Sequence, residues 1–170
     1  EMPANVVKRI LLAADPEERR TINELLEYPD DSAGSLMTPE FVSLSAGMTV
    51  SEAFDKIRRT GVNKETIYTC YVTNVKKQLI GVVTVKDLLL AEKETLVEHI
   101  MTTNVVSIET LEDKEQVALM FQKYSHLALP VIDKEGCIVG IITVDDAVDV
   151  LQEEATEDIQ IMAAITPDDK

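Results

Sequence analysis

Apolar and polar residues alternate along this chain in a pattern that occurs twice. Val50, Ala53, Phe54 and Ile57 recur at i, i+3, i+4 and i+7, and so do Val117, Met120, Phe121 and Tyr124. That is the spacing of a helix with one buried stripe. Each stripe follows a start signal: Thr49 with Glu52, and Asp113 with Gln116. Both have the form of a capping box, a side-chain acceptor at the N-cap with Glu or Gln three residues on. Next come short β-prone runs at residues 67–72 and 127–132, polar turns at 74–78 and 133–136, and second apolar runs at 79–87 and 138–146. These read as strands joined by tight turns.

The two halves can be laid over one another. Residues 36–46 match 100–110 at an offset of 64, pairing Met37 with Met101 and Val42 with Val106, whereas Gly81 matches Gly140 at an offset of 59. The drop places a five-residue insertion in loop 61–66 of the first half. Each copy reads strand, helix, strand, strand, helix over about 60 residues, too few to bury a stable core alone. Two copies packed together form an α/β fold with mixed sheets (α+β mixed).

The block Gly-apolar-apolar-Thr-x-x-Asp closes the copies at 81–87 and 140–146, and Met-Thr opens each. This tandem pattern, covering residues 36 to 152, resembles the CBS domain. The resemblance implies a tandem pair, each copy β-α-β-β-α, that forms a homodimer and often takes an adenine nucleotide between copies.

Upstream, Val7, Ile10, Leu11 and Ala14, then Ile22, Leu25 and Leu26 beyond Asp15-Pro16, show helical spacing. They read as the last helices of an incomplete helical domain. Pro-Asp-Asp-Ser-Ala-Gly at 29–34 and Glu-Ala-Thr-Glu-Asp-Ile at 154–159 are similar to the cytosolic region of MgtE-type magnesium transporters and channels. In that family the order is superhelical N domain, CBS pair, connecting plug helix and membrane pore. The expected division is 1–35 for the N-domain remnant, 36–98 and 99–154 for the CBS copies, and 155–170 for the start of the plug helix. The pore domain of the same parent chain would be the partner, and the cell membrane's cytoplasmic face the location.

Charge narrows the choice of ligand. Acidic residues outnumber basic ones 31 to 16, for a net charge of -15, which repels a nucleic-acid backbone and favours a divalent cation. No apolar run approaches the ~18–20 residues of a membrane span, and residues 1–3 do not look like a signal peptide. Cys70 and Cys137, far apart and within apolar segments, read as reduced core thiols. Two histidines, two separated cysteines and no glycine-rich phosphate loop leave no nucleophile and base pair, so an enzyme is not expected.

On the closing helix, Asp146, Asp149, Glu153 and Glu157 fall on one face, with Glu154 and Asp158 extending the belt. Charges ~6 Å apart in water repel by about 0.7 kcal/mol, so the stripe is strained without cations, although a solvated face is the simpler account. Magnesium is hard, takes oxygen ligands and keeps several waters, which suits carboxylates on facing elements. The MgtE resemblance carries the metal role to Asp113, Glu115, Asp146, Asp149, Glu154, Glu157 and Asp158. Asp113 is equally an N-cap, and Asp146 also stands at the ribose position of CBS domains.

The CBS resemblance also suggests ATP or another adenine nucleotide. Thr84, Lys86 and Asp87 supply a hydroxyl, a cation and a ribose acceptor in the first copy, and Thr143 with Asp146 supplies part of that set in the second. Asp145 stands where the first copy has Lys86, which disfavours phosphate there. His126 and Pro130 are placed by the resemblance beside the adenine. As alternatives, the threonines satisfy strand-end backbone and His126 is a surface loop residue. Two rival readings stay open: a module sensing only adenine nucleotide, and a structural dimerisation element.

Overall fold

The structure, a computed structural model, describes residues 28–165. The helices expected over residues 4–27 lie outside the described residues. After a short helix α1 (Ala33–Leu36), the first copy runs β1 (Val42–Ser45), α2 (Val50–Thr60), β2 (Thr69–Thr73), β3 (Leu79–Thr84) and α3 (Val85–Leu90). The second runs β4 (Ile108–Glu109), α4 (Lys114–Tyr124), β5 (Ala128–Ile132), β6 (Ile138–Thr143) and α5 (Val144–Ile165). The sheets are ordered β1-β2-β3 and β4-β5-β6. In both, the first pair is parallel and the second antiparallel. A register shift recurs at equivalent places, Val72/Thr73 and Val131/Ile132. This is the mixed α/β tandem repeat expected from the sequence.

Local chemistry explains why the elements fall where they do. The side chain of Asn74 accepts from the N–H groups of Lys76 and Gln78, each at 3.0 Å. Asp133 does the same for Glu135 (2.9 Å) and Cys137 (3.0 Å). These matching Asx turns reverse the chain between the two hairpin strands, and each contains a left-handed residue, Lys77 (φ 64°) or Gly136 (φ 84°). Thr49 and Glu52 form the reciprocal box at the start of α2. Asp113 caps α4 from one side only, accepting from the Glu115 N–H at 2.8 Å. Its short carboxylate engages the second helical N–H, so the box expected with Gln116 does not close. Tyr124 was expected on the buried stripe and is 38% exposed, with Ala118 buried instead. The helix ends there, turned by left-handed Ser125 (φ 50°). Cys70 lies buried in β2, but Cys137 precedes β6 and is only half-buried, because the Asx turn takes up that position.

The copies are joined by their opening segments. Val97 lies in the first core with Val42, Leu44, Val50 and Cys70. Ala33 and Met37, at the opening of the first copy, lie in the second core with Ile108, Val117, Phe121 and Leu129. Thr38 and Ile141 exchange backbone hydrogen bonds at 2.8 Å, and Thr102 and Val82 do so at 2.8 and 2.9 Å. The motif glycines are fixed by this docking. A Cβ on Gly81 would lie 2.5 Å from the Met101 sulfur, and one on Gly140 2.8 Å from that of Met37. A third cluster, Tyr71, Ala128, Ile138 and Ile141 with Phe41, Leu79 and Val82, joins the two sheets.

Candidate functional site

The acidic residues gather where α4 packs on α5. The latter runs unbroken for 22 residues, through the division expected between residues 154 and 155. Ala147 and Val150 anchor its first half in the body. From residue 155 to 164 every side chain is exposed, so the acids at its middle stand at the edge of the packed domain.

Between α5, the start of α4 and the segment ahead of α1 lies a groove of about 310 Å³. Asp30, Asp31, Asp146, Asp149 and Glu153 line it, and among the described residues lining it Lys114 is the one base. The Lys114 ammonium sits 3.1 Å from Asp31 and 3.9 Å from Glu153. Its hydrogen bond to Asp31 holds it above the ordinary lysine range, and the charges of Asp31, Glu153 and Glu154 add to this against a small burial penalty. One lysine thus serves five carboxylates. Asp146 also accepts from the Thr143 hydroxyl at 3.1 Å.

Outside the groove, Glu154 of α5 meets Glu115 of α4. A hydrogen bond shared with Glu115, partial burial, and the charges of Glu115, Glu157 and Asp158 push the Glu154 carboxyl up to about 7. The direction is upward because negative charges this close repel, which disfavours the ionised form of Glu154. The sequence-derived metal residues therefore divide. Asp146 and Asp149 face the groove, Glu115, Glu154, Glu157 and Asp158 form the outer cluster, and Asp113 is occupied in part as the α4 cap. Asp30, Asp31, Glu153 and Lys114 join them in the structure. Of these, Glu153 belongs to the helical stripe that the sequence shows, whereas Asp30 and Asp31 stand in a family signature, and the charge of the segment before α1 is the signal that points to them.

The second candidate is a cleft of about 460 Å³ between the copies. Thr84, His126 and Pro130 line it. Lys86 and Asp87 are not among its lining residues, and Asp87 instead closes a capping box on α3, accepting from the Thr84 N–H at 3.0 Å while its own N–H donates to the Thr84 hydroxyl at 3.1 Å. Thr143 belongs to the other copy, bonded to Asp146. The His126 ring is exposed and stacks on Tyr124 with centroids 6.3 Å apart. The volume lies in the range of small-molecule sites, about 300–1,000 Å³. Among the described residues no helix is long and apolar enough to cross a membrane.

The family model described as "CBS domain" matches residues 33–94 and 97–153. The magnesium transporter MgtE of Thermus thermophilus is 46% identical over 89% of this chain and 34% of its own length. That of Bacillus subtilis is 40% identical over 91% of this chain and 34% of its own length. This chain therefore spans about a third of the curated relatives it matches. The crystal structure of the cytosolic domain of the Mg2+ channel MgtE in complex with ATP superposes with a TM-score of 0.74 at 43% identity, covering 88% of this chain and 60% of that one. The chain belongs to the CBS domain family, as a tandem pair whose homologues are MgtE magnesium transporters.

Proposed function

We propose that this chain is the magnesium-sensing regulatory region of a magnesium transporter or channel, on the cytoplasmic face of the membrane. Its acidic face draws together in Mg2+ and so sets the state of a pore carried elsewhere in the parent chain. One feature carries this reading: α4 and α5 bring Glu115 against Glu154, whose carboxyl is pushed up to about 7 by that contact. A hard dication that prefers oxygen ligands fits that pair better than a proton does, since it neutralises both carboxylates and leaves room for water. Glu115, Glu154, Glu157 and Asp158 would hold the ion on the outer face. Asp146 and Asp149, with Asp30, Asp31 and Glu153, would do so in the groove, and Asp113 would contribute alongside its capping role. Bound charge would relieve repulsion between α4, α5 and the segment before α1.

The cleft at Thr84, His126 and Pro130 would take ATP or another adenine nucleotide as a modulator, with Lys86 and Asp87 at its margin and Thr143 in the pseudo-equivalent position. The relative's complex with ATP supports that assignment. We assign the chain no catalysis, and a homodimer formed through the CBS pair. A module responding to adenine nucleotide alone is the second reading, favoured by the same cleft.

Thermal melting and limited proteolysis in Mg2+ up to tens of millimolar, with ATP titrated separately, distinguish the two. The sensor gains protease resistance and melting temperature with Mg2+, and the E154A/E157A/D158A variant loses most of that gain. A chain unmoved by Mg2+ and stabilised by ATP alone would be the nucleotide module.

A further inference from the structure

Among the described residues, one buried side-chain polar atom has no hydrogen-bond partner, the Tyr71 hydroxyl. The residue is 1% exposed. It sits on β2, edge-on to Phe41 with ring centroids 6.0 Å apart, in the apolar cluster that joins the two sheets. A phenylalanine would fill the same space without leaving a polar atom unpaired, so the hydroxyl is a cost to the fold unless something meets it. The second copy avoids that cost: where Tyr71 pairs with Val82, Pro130 pairs with Ile141.

Tyr71 also lines the inter-copy cleft. The other polar groups there come from Tyr68, Thr69, Thr84, Thr102, Asn104, Ser125 and His126, and no carboxylate, lysine or arginine is among the described lining residues. In a chain of net charge -15, such a lining suits a neutral hydrogen-bonding ring system rather than a phosphate chain. Burial, and then the neighbouring Cys70, push the phenol above its ordinary range, so it keeps its proton and can donate.

We propose that Tyr71 is a specificity-determining residue of this cleft, its hydroxyl hydrogen-bonding the nucleoside portion of the bound nucleotide while the phosphates lie beyond the lining. The assignment rests on the reading of the cleft as an adenine-nucleotide site.

Calorimetric titration of the wild-type chain and of Tyr71→Phe with ATP, and separately with adenosine, tests it. Tyr71→Phe weakens both ligands by the same factor, about five- to tenfold, and raises the melting temperature of the ligand-free protein. Wild-type binding of both ligands with a variant inside about twofold of it would overturn the assignment. So would a loss confined to ATP, which would put the contact on phosphate. Weaker binding with a lowered ligand-free melting temperature would make Tyr71 a packing residue and overturn it too. If the wild type binds neither ligand, the nucleotide reading falls first, and that result is distinct from an unaffected variant.

Discussion

The two copies share strand order, pairing sense and the position of a bulge, yet they differ where charge is concerned. In the first, α3 closes after six residues, and α2 carries Arg58 and Arg59 in its last turn. In the second, α5 continues for 22 residues with Asp145 and Asp146 in its first turn, and its partner α4 begins Asp113-Lys114-Glu115. Positions shared by the copies, such as Gly81 and Gly140 or the turn formers Asn74 and Asp133, build the scaffold. The proposed chemistry lies in the departures: an acidic face on one copy, and a buried phenol on the other.

The shared part predicts the largest effects. Gly81→Ala and Gly140→Ala each push a Cβ into a methionine of an opening segment, and each should cost about 1–3 kcal/mol in urea denaturation. A large cost at one glycine and none at the other would break the symmetry claimed for the docking. The turns come next. Gly136→Ala, at φ 84°, should lose about 1 kcal/mol, while Lys77→Gly at the equivalent site gains up to ~1 kcal/mol, since an L side chain is disfavoured there. Equal effects of the same sign would mean that the turns are not equivalent.

The charged part predicts smaller, condition-dependent effects. Lys114→Gln removes the one base among the described residues lining the groove and should cost about 0.5–1 kcal/mol at low salt. Mg2+ should restore this loss more fully than an equal ionic strength of potassium salt. An equivalent rescue by potassium would reduce the groove to general screening.

The raised Glu154 carboxyl gives a pH signature with a definite sign. Its folded value of about 7 exceeds its ordinary 4.5. The folded state therefore holds the extra proton, and the stabilisation is complete below about 4.5 and lost as pH rises through about 7. Melting temperature should fall across that window, and Glu154→Gln should flatten the fall. An unchanged slope in the variant would place the titration on another group.

Much of the fold could be read from residue spacing, because strand and helix periods, caps and Asx turns are local. Val50, Ala53 and Ile57 are buried as their spacing implies, and the insertion at 61–66 carries a short 3-10 turn at Gly61–Asn63. Docking of Met37 on the second copy and Met101 on the first could not be read, because periodicity does not say which sheet a segment joins. The same limit applied to the site. Asp146 and Asp149 were visible as a helical stripe, but the Glu115–Glu154 pair joins two helices, and the groove needs Asp30 and Asp31 from a segment more than a hundred residues away in sequence. Tyr71 read as one more apolar strand position, since an unpaired hydroxyl is a property of its surroundings. Asp87 matches a motif position whose structural use here is to cap α3 together with Thr84.

The central claim is that a dication replaces a proton held between facing carboxylates. Counting protons released as Mg2+ is added at pH 7, by calorimetry in buffers of different ionisation enthalpy, tests it most directly. The account predicts a release that shrinks above pH 8 and disappears in Glu154→Gln. Magnesium binding with no proton released, or with the same release in the variant, would contradict it.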